Sequence, residues 1–529
     1  MNPGVGIRLR HGFVLSLLLI GLFIATRLTN LTKLPIFTDE AIYVRWAQIG
    51  TRDASWRFIS MTDGKQPLFT WVAMTIMRFV PDPLYAGRLV SVLSGVGSAL
   101  GIFFLSKTLF KSLRVSFLSS FLYIISPFSL VYDRMALYDS LVAMFSLWNL
   151  YFAVLLVRTL RLDVALIFGM TLGLGMLNKT SGFLSLYLAP LTMVLMDWRR
   201  GKIIRRIARW ALLLAVSAVL SQAVYGVLRL SPFFHMIAQK DAIFVYPFRE
   251  WISHPTHFFV GNMRGLIDWL VHYLTWPVTI AAIVPAISIF RKPREKLLLY
   301  GWWLAPFVAL ALFGKVLYPR FVLFMSMPLL ILAATTIDGV MRRWPKTFLE
   351  IFLIGCIVVP SVYTDYLLIT DPIYAPIPQA DRGQYINDWP AGWGVSEVAS
   401  LLAEASKRGH IVVYTEGTFG LLPYGLEIML VDNPNIEIHG IWPVPEDIPQ
   451  EVARDARLYP TYFVMNQRLD VPRGWLLTLV ASYPKGIRKD RTLRLYSVSA
   501  PLSQDAKVKN TSSGSDNSLS SQNKTQPKP

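Results

Sequence analysis

The chain has 529 residues, of which 53% are hydrophobic, 13% aromatic and only 16% charged, with a mean hydropathy of +0.44. An ordinary globular chain carries about a quarter charged residues, so the polar surface that several soluble domains would need at this length is missing. The net charge of +19 points to nucleic acid only if the cations share one face, and the single cysteine, Cys356, excludes an internal disulfide framework or a thiolate metal cluster.

Apolar runs of about 17–25 residues are the unit to look for, because only a helix that satisfies its own backbone crosses a bilayer about 30 Å thick. Eleven are read in chain order, at about 12–28, 84–105, 115–132, 138–157, 162–178, 182–198, 210–229, 270–290, 297–314, 321–338 and 347–369. The first runs from Phe13 to Thr26 and ends on Arg27 with no small-residue cleavage pattern, so a retained helix is expected rather than a signal peptide. Pro67–Val80 is apolar but short and led by proline, and is expected to lie in the interface.

Charge tests this count. With the N-terminus in the cytoplasm, the inner loops hold Arg8 and Arg10; Lys107, Lys111 and Arg114; Arg158 and Arg161; Arg199, Arg200, Lys202, Arg205, Arg206 and Arg209; Arg291, Lys292, Arg294 and Lys296; Arg342, Arg343 and Lys346. Every short inner loop is basic, as the positive-inside rule requires. These twenty of the 52 Lys and Arg set orientation and meet anionic membrane lipids, which leaves no basic face for nucleic acid. The expected architecture is a mostly α polytopic membrane protein of about eleven transmembrane helices over 1–369.

Three outer regions are large. The first, 29–83, is nearly neutral, and Ile42, Trp46 and Ile49 recur near one helical face, as in an interfacial helix. The second, 230–269, gathers His235, His254 and His257, with His272 at its edge. The third, 370–500, reads as a small extracytoplasmic α/β domain: a helix at 395–408 precedes strands at 411–414, 462–465 and 493–498. The loop Glu416–Gly420 after the first of these strands lacks the glycines or lysine of a nucleotide motif. Residues 501–529 are Ser, Asn, Gln, Lys and Pro with almost nothing apolar, the composition of a disordered tail.

Ionisable residues collect at the outer helix ends, where they are candidates for function. Asp39 and Glu40 follow the first span; Asp133, Arg134 and Asp139 bracket the turn between the third and fourth; Lys179 ends the fifth; Lys315, Tyr318 and Arg320 open the tenth. Thr38 as a helix cap followed by two acids is also ordinary helix-start chemistry. His254 and His257 with Glu250 nearby offer possible ligands for a divalent metal, but Pro255 disturbs their helical spacing.

Five motifs in this order resemble one family. They are Thr38-Asp39-Glu40, Lys65-Gln66-Pro67-Leu68, Asp133-Arg134-Met135-Ala136-Leu137-Tyr138-Asp139, Gly173 to Lys179, and Tyr318-Pro319-Arg320 running to Pro328. Together they resemble the C-class (GT-C), polyprenyl-phosphate-sugar-dependent glycosyltransferases, such as protein O-mannosyltransferases and the lipid A aminoarabinose transferase. The resemblance covers roughly 1–340; Lys65-Gln66-Pro67 departs from the His-Pro-Pro or Glu-Lys-Pro pattern of many relatives. It implies an inverting transfer of a sugar from a polyprenyl-phosphate donor to a hydroxyl of a protein, lipid or glycan, outside a bacterial plasma membrane; some members of this fold class use a divalent metal, but no cofactor is expected here. Asp39 is then the general base, with Glu40 orienting it or the acceptor. Arg320, Lys179 and Lys65 hold the donor phosphate, and Asp139, Arg134 and Tyr318 support them. A transporter or lipid flippase is the alternative, against which stand the absence of a repeat and the placement of the charges at one face.

Overall fold

A computed structural model describes residues 3–198, 203–254, 256–287, 291–343 and 348–500; over 3–11 the backbone alone is described. The expected tail, 501–529, lies outside the described residues.

Helix α1 (Pro3–Leu28) leads through a short irregular stretch to α2 (Thr38–Arg52) and the nine-residue α3 (Leu68–Ile76), which is too short to span. The next helix, α4 (Pro83–Phe110), starts where Asp82 accepts from Tyr85 N and proline takes the first helical position, and stops at Lys111 in a left-handed conformation. Ser112 then caps α5 (Leu113–Ile124), and α6 (Pro127–Asp133) continues it after a 59° bend. Helices α7 (Asp139–Thr159), α8 (Leu162–Asn178) and α9 (Phe183–Leu188, extended as a 3-10 helix to Leu195) follow. Next come α10 (Ile203–Tyr225), α11 (Met236–Phe244), α12 (Phe248–Ser253), α13 (Phe259–Leu274) and α14 (Trp276–Ile287), the last two meeting at 109°. Three more, α15 (Pro293–Phe313), α16 (Leu323–Arg343) and α17 (Phe348–Thr370), complete the helical part.

Among the described residues six helical segments are long and apolar enough to cross a membrane: 83–110, 139–159, 203–230, 293–313, 319–343 and 348–370; the two bent pairs would make eight. Among the described residues the expected runs fall mainly on apolar helix; the first belongs to the 26-residue α1, whereas 162–178 and 180–195 stop short of span length. The protein is thus a mostly helical, multi-span membrane protein. The segment carrying α16 is the buried centre, whereas α10 and α17 keep most of their apolar side chains on the outside, as helices in lipid do. Close approach is built by small residues: a Cβ on Gly169 would meet Ser217 O at 2.8 Å, and one on Gly173 would meet Val224 at 2.6 Å, so these glycines let α8 lie against α10.

Beyond α17, α18 (Gln379–Arg382) leads to α19 (Val395–Ser406), β1 (Ile411–Glu416), α20 (Leu421–Leu430), β2 (Ile436–Ile441), α21 (Gln450–Leu458), β3 (Thr461–Met465), β4 (Leu476–Lys485) and β5 (Arg488–Ser499). The sheet order is β2-β1-β3-β5-β4, parallel from β2 to β3 and antiparallel beyond. The sheet unit is seated on α2. Arg45 bonds Glu427 at 2.6 Å, Gln48 donates to Ile428 O, and Thr38 donates through both N and Oγ1 to Pro390 O. Thr38 therefore does not cap α2; Glu40 accepts from Phe37 N instead.

Candidate active site

A cavity of about 980 Å³ opens among the loops that join the helices at one end. Helix starts and ends supply its polar lining: Lys65 before α3, Asp139 at the start of α7, Lys179 just past α8, Lys240 and Asp241 in α11, and Lys315 and Arg320 between α15 and α16. Side chains at helix ends thus present charge to one space without burying it in lipid.

Asp39 reaches this wall through Arg320. Its Oδ2 lies 3.0 Å from Arg320 Nη2, and its side chain keeps 25% exposure against 9% for the arginine. The guanidinium stacks on Tyr318 at 4.6 Å and lies 5.7 Å from the Phe37 ring centre. Its other terminal nitrogen, Nη1, is buried and has no hydrogen-bond partner. Lys179 Nζ bonds Asp139 at 2.7 Å and sits 4.7 Å over Phe321, a ring that the Arg320 guanidinium also faces at 5.9 Å. Lys65 lies 5.4 Å over Phe244 and forms no salt bridge among the described residues. Its ammonium is brought down to about 8, chiefly by burial and further by Lys179, Lys240 and Arg320, against the pull of Asp39. Asp241 is raised by burial, with Thr180, Lys65 and Lys179 working the other way.

Of the sequence candidates, Arg320, Lys179, Asp139 and Lys65 line this cavity, and Asp39 and Tyr318 adjoin it through their contacts with Arg320. Glu40 and Arg134 stand elsewhere. Glu40 is fully buried and faces away: Arg88 Nε and Nη2 grip its two oxygens at 2.9 and 2.8 Å, and Phe37 N and Ala136 N donate to them as well. Arg134 turns toward the end of α1, donating to the carbonyls of Thr26, Arg27, Thr29 and Asn30. Sequence reasoning passed over Lys240, paired with Asp63 at 2.7 Å, and Asp241, because the histidines drew attention in that loop. Of the histidines, His254 and His257 line a smaller adjoining pocket with Trp251, which shares Tyr246 and Glu250 with the large cavity; no cluster of three metal-capable side chains occurs among the described residues.

Residues 64–225 match the model of the family described as dolichyl-phosphate-mannose-protein mannosyltransferase. Undecaprenyl phosphate-alpha-4-amino-4-deoxy-L-arabinose arabinosyl transferase 2 of Proteus mirabilis (strain HI4320) is 26% identical over 313 residues, 55% of this chain and 54% of that protein. The chain thus spans about half the length of the curated relative it matches. Crystal structures of ArnT from Cupriavidus metallidurans are similar over 93% of this chain and 99% of theirs: TM-score 0.56 at 15% identity for the apo state, and 0.52 at 14% for ArnT bound to undecaprenyl phosphate. At those identities the likeness is one of fold. The resemblance carried by the motifs is borne out by these likenesses.

Proposed function

We propose that the protein is an inverting glycosyltransferase that moves a sugar from a polyprenyl-phosphate donor to a hydroxyl acceptor on the outer face of a bacterial plasma membrane. One observation carries this reading: Arg320, Lys179 and Lys65 line one cavity built from helix ends, and Asp39 pairs with the Arg320 of that wall. A phosphate leaves without a proton being delivered to it, so the two-carboxylate machinery of a glycosidase is not needed. One base and a set of cations suffice.

In this mechanism the acceptor oxygen attacks the anomeric carbon from the face opposite the phosphate, and its proton passes to Asp39. The bond from carbon to phosphate oxygen breaks with its electron pair going to the phosphate, whose growing charge Arg320, Lys179 and Lys65 receive. The fork of Arg320 has a donor in reserve at Nη1, suited to a phosphate oxygen. Asp139 holds Lys179, and Tyr318 supports the guanidinium. Glu40 acts through the backbone by fixing the first turn of α2, and Arg134 by fixing the end of α1. All eleven apolar runs are taken as spans, with the N-terminus cytoplasmic and 370–500 forming an outer domain. A transporter or flippase is disfavoured because the cavity charges lie at helix ends rather than midway along the spans.

The test is Asp39→Asn in purified, membrane-inserted protein. Release of polyprenyl phosphate from polyprenyl-phosphate sugars, in the presence of envelope acceptors, is expected to fall at least about a hundredfold, with folding retained. Near-normal turnover would remove Asp39 as the base.

A further inference from the structure

Among the described residues no side chain of the sheet unit lines the large cavity, yet the sheet unit holds the helix start that carries the base. Three consecutive carbonyls in the segment before α19, those of Trp389, Pro390 and Ala391, are each claimed by a different element. Asn466, just past β3, donates through Nδ2 to Trp389 O at 2.9 Å. Thr38 donates to Pro390 O through N and Oγ1, both at 3.1 Å. Lys485, at the end of β4, donates through Nζ to Ala391 O. Ala391 also forms an antiparallel bridge with Phe37, and a Cβ on Gly392 would run into Ile36 O, so glycine lets the two segments lie this close. Both side chains from the sheet unit are fixed. Asn466 is buried, and the Glu416 carboxylate accepts from its N–H and from those of Gln467 and Arg468 at 2.7, 2.7 and 2.8 Å. Lys485 is fully buried, which brings its ammonium down to about 7. Burying such a group is costly unless it is hydrogen-bonded, and its bond goes to Ala391 O.

We propose that Asn466 and Lys485 are positioning residues for sugar transfer: they hold segment 389–391 against Thr38 and so keep the neighbouring Asp39 at the angle at which it takes the acceptor proton. On the inner side Glu40 ties the same turn to Arg88 and Ala136 N. One anchor leaves the turn free to pivot, and a second on Thr38 stops it. A displacement of about 1 Å costs up to about a hundredfold in rate. Lys179 and Lys65 stand on other elements and keep their places when this segment loosens. The proposal rests on the function given above, with Asp39 as the base.

The experiment measures, for the full-length protein in nanodiscs, kcat per folded molecule and binding of undecaprenyl phosphate. Turnover is read as release of polyprenyl phosphate from polyprenyl-phosphate sugars with envelope acceptors. Asn466→Leu and Lys485→Met are each expected to lower kcat roughly tenfold, while undecaprenyl phosphate binds within about threefold of the parent. Thr38→Val removes only the hydroxyl donor and is expected to lower kcat severalfold; Thr38→Ser, which keeps that donor, is expected to retain most of the activity. Asn466→Leu and Thr38→Val together are expected to cost less than the product of their separate losses, because both act through one segment. A merely structural role predicts less folded protein, with parent kcat in each folded molecule. Parent kcat in folded Asn466→Leu and Lys485→Met overturns the proposal, and if Asp39→Asn is inactive in the same assay the base assignment stands without it. If Asp39→Asn keeps turnover, both fall. Should neither sheet variant fold, equal kcat for Thr38→Val and Thr38→Ser overturns the proposal.

Discussion

Asp39 and Glu40 are neighbours on the first turn of one helix, yet their ion pairs are opposites. The Glu40–Arg88 pair is closed. Both side chains are fully buried, each carboxylate oxygen takes two donors, and the donors left on Arg88 go to the carbonyls of Leu31, Leu34 and Pro35. The Asp39–Arg320 pair is open. It makes a single contact at the edge of a cavity and leaves one arginine nitrogen unsatisfied. A closed pair can only hold structure, because any exchange of partner strands a buried charge. An open pair can trade its carboxylate for a phosphate.

The sharpest way to break this comparison is Glu40→Gln. The substitution keeps the shape but leaves Arg88 as an uncompensated buried cation, for which about 3–5 kcal/mol of destabilisation is expected. Thermal unfolding in detergent, or the yield of monodisperse protein, reads this directly. Asp39→Asn is expected to lose turnover with little change in melting. If the two variants melted alike, the distinction between closed and open pairs would fall.

Hydropathy made the helices legible, since a run of apolar residues needs no long-range information to be recognised. It did not show that two runs form helices short of span length or that two others bend, because those outcomes depend on packing and on breaks such as Thr275 at positive φ. The site was legible as a set of motifs at helix ends, but the roles within a motif were not. Asp133-Arg134 and Asp139 look equivalent on paper. In the fold the first two lock onto α1, through Arg27 and the carbonyls at its end, and only Asp139 faces the cavity. That sorting depends on partners distant in sequence, as does the choice between Asp39 and Glu40. In the sheet unit the buried β1, β3 and β5 were found. The half-exposed β2 and largely exposed β4, lacking a continuous apolar run, were not.

Lys179–Asp139 falls between the two extremes, with side-chain exposures of 24% and 7%. Removing the ammonium in Lys179→Met is expected to weaken binding of undecaprenyl phosphate roughly tenfold. The helix end should survive, because Asn178 independently donates to Tyr138 O. Loss of folding with no specific loss of phosphate binding would move this pair into the closed class.

The smallest effect belongs to Lys65, which has no acid partner in contact. Its ammonium titrates at about 8, so it is charged below that value and neutral above it. As pH rises from 7 to 9 the cavity therefore loses one positive charge, and affinity for undecaprenyl phosphate is expected to fall roughly three- to fivefold. Arginine stays charged throughout this range, so Lys65→Arg is expected to flatten the decline. Parallel pH profiles for parent and variant would show that Lys65 does not feel the phosphate. The result bears on the comparison because a lone cation is the fully open limit. It costs nothing to redirect toward a ligand, but with no carboxylate in contact to hold its proton, burial lets pH switch it off.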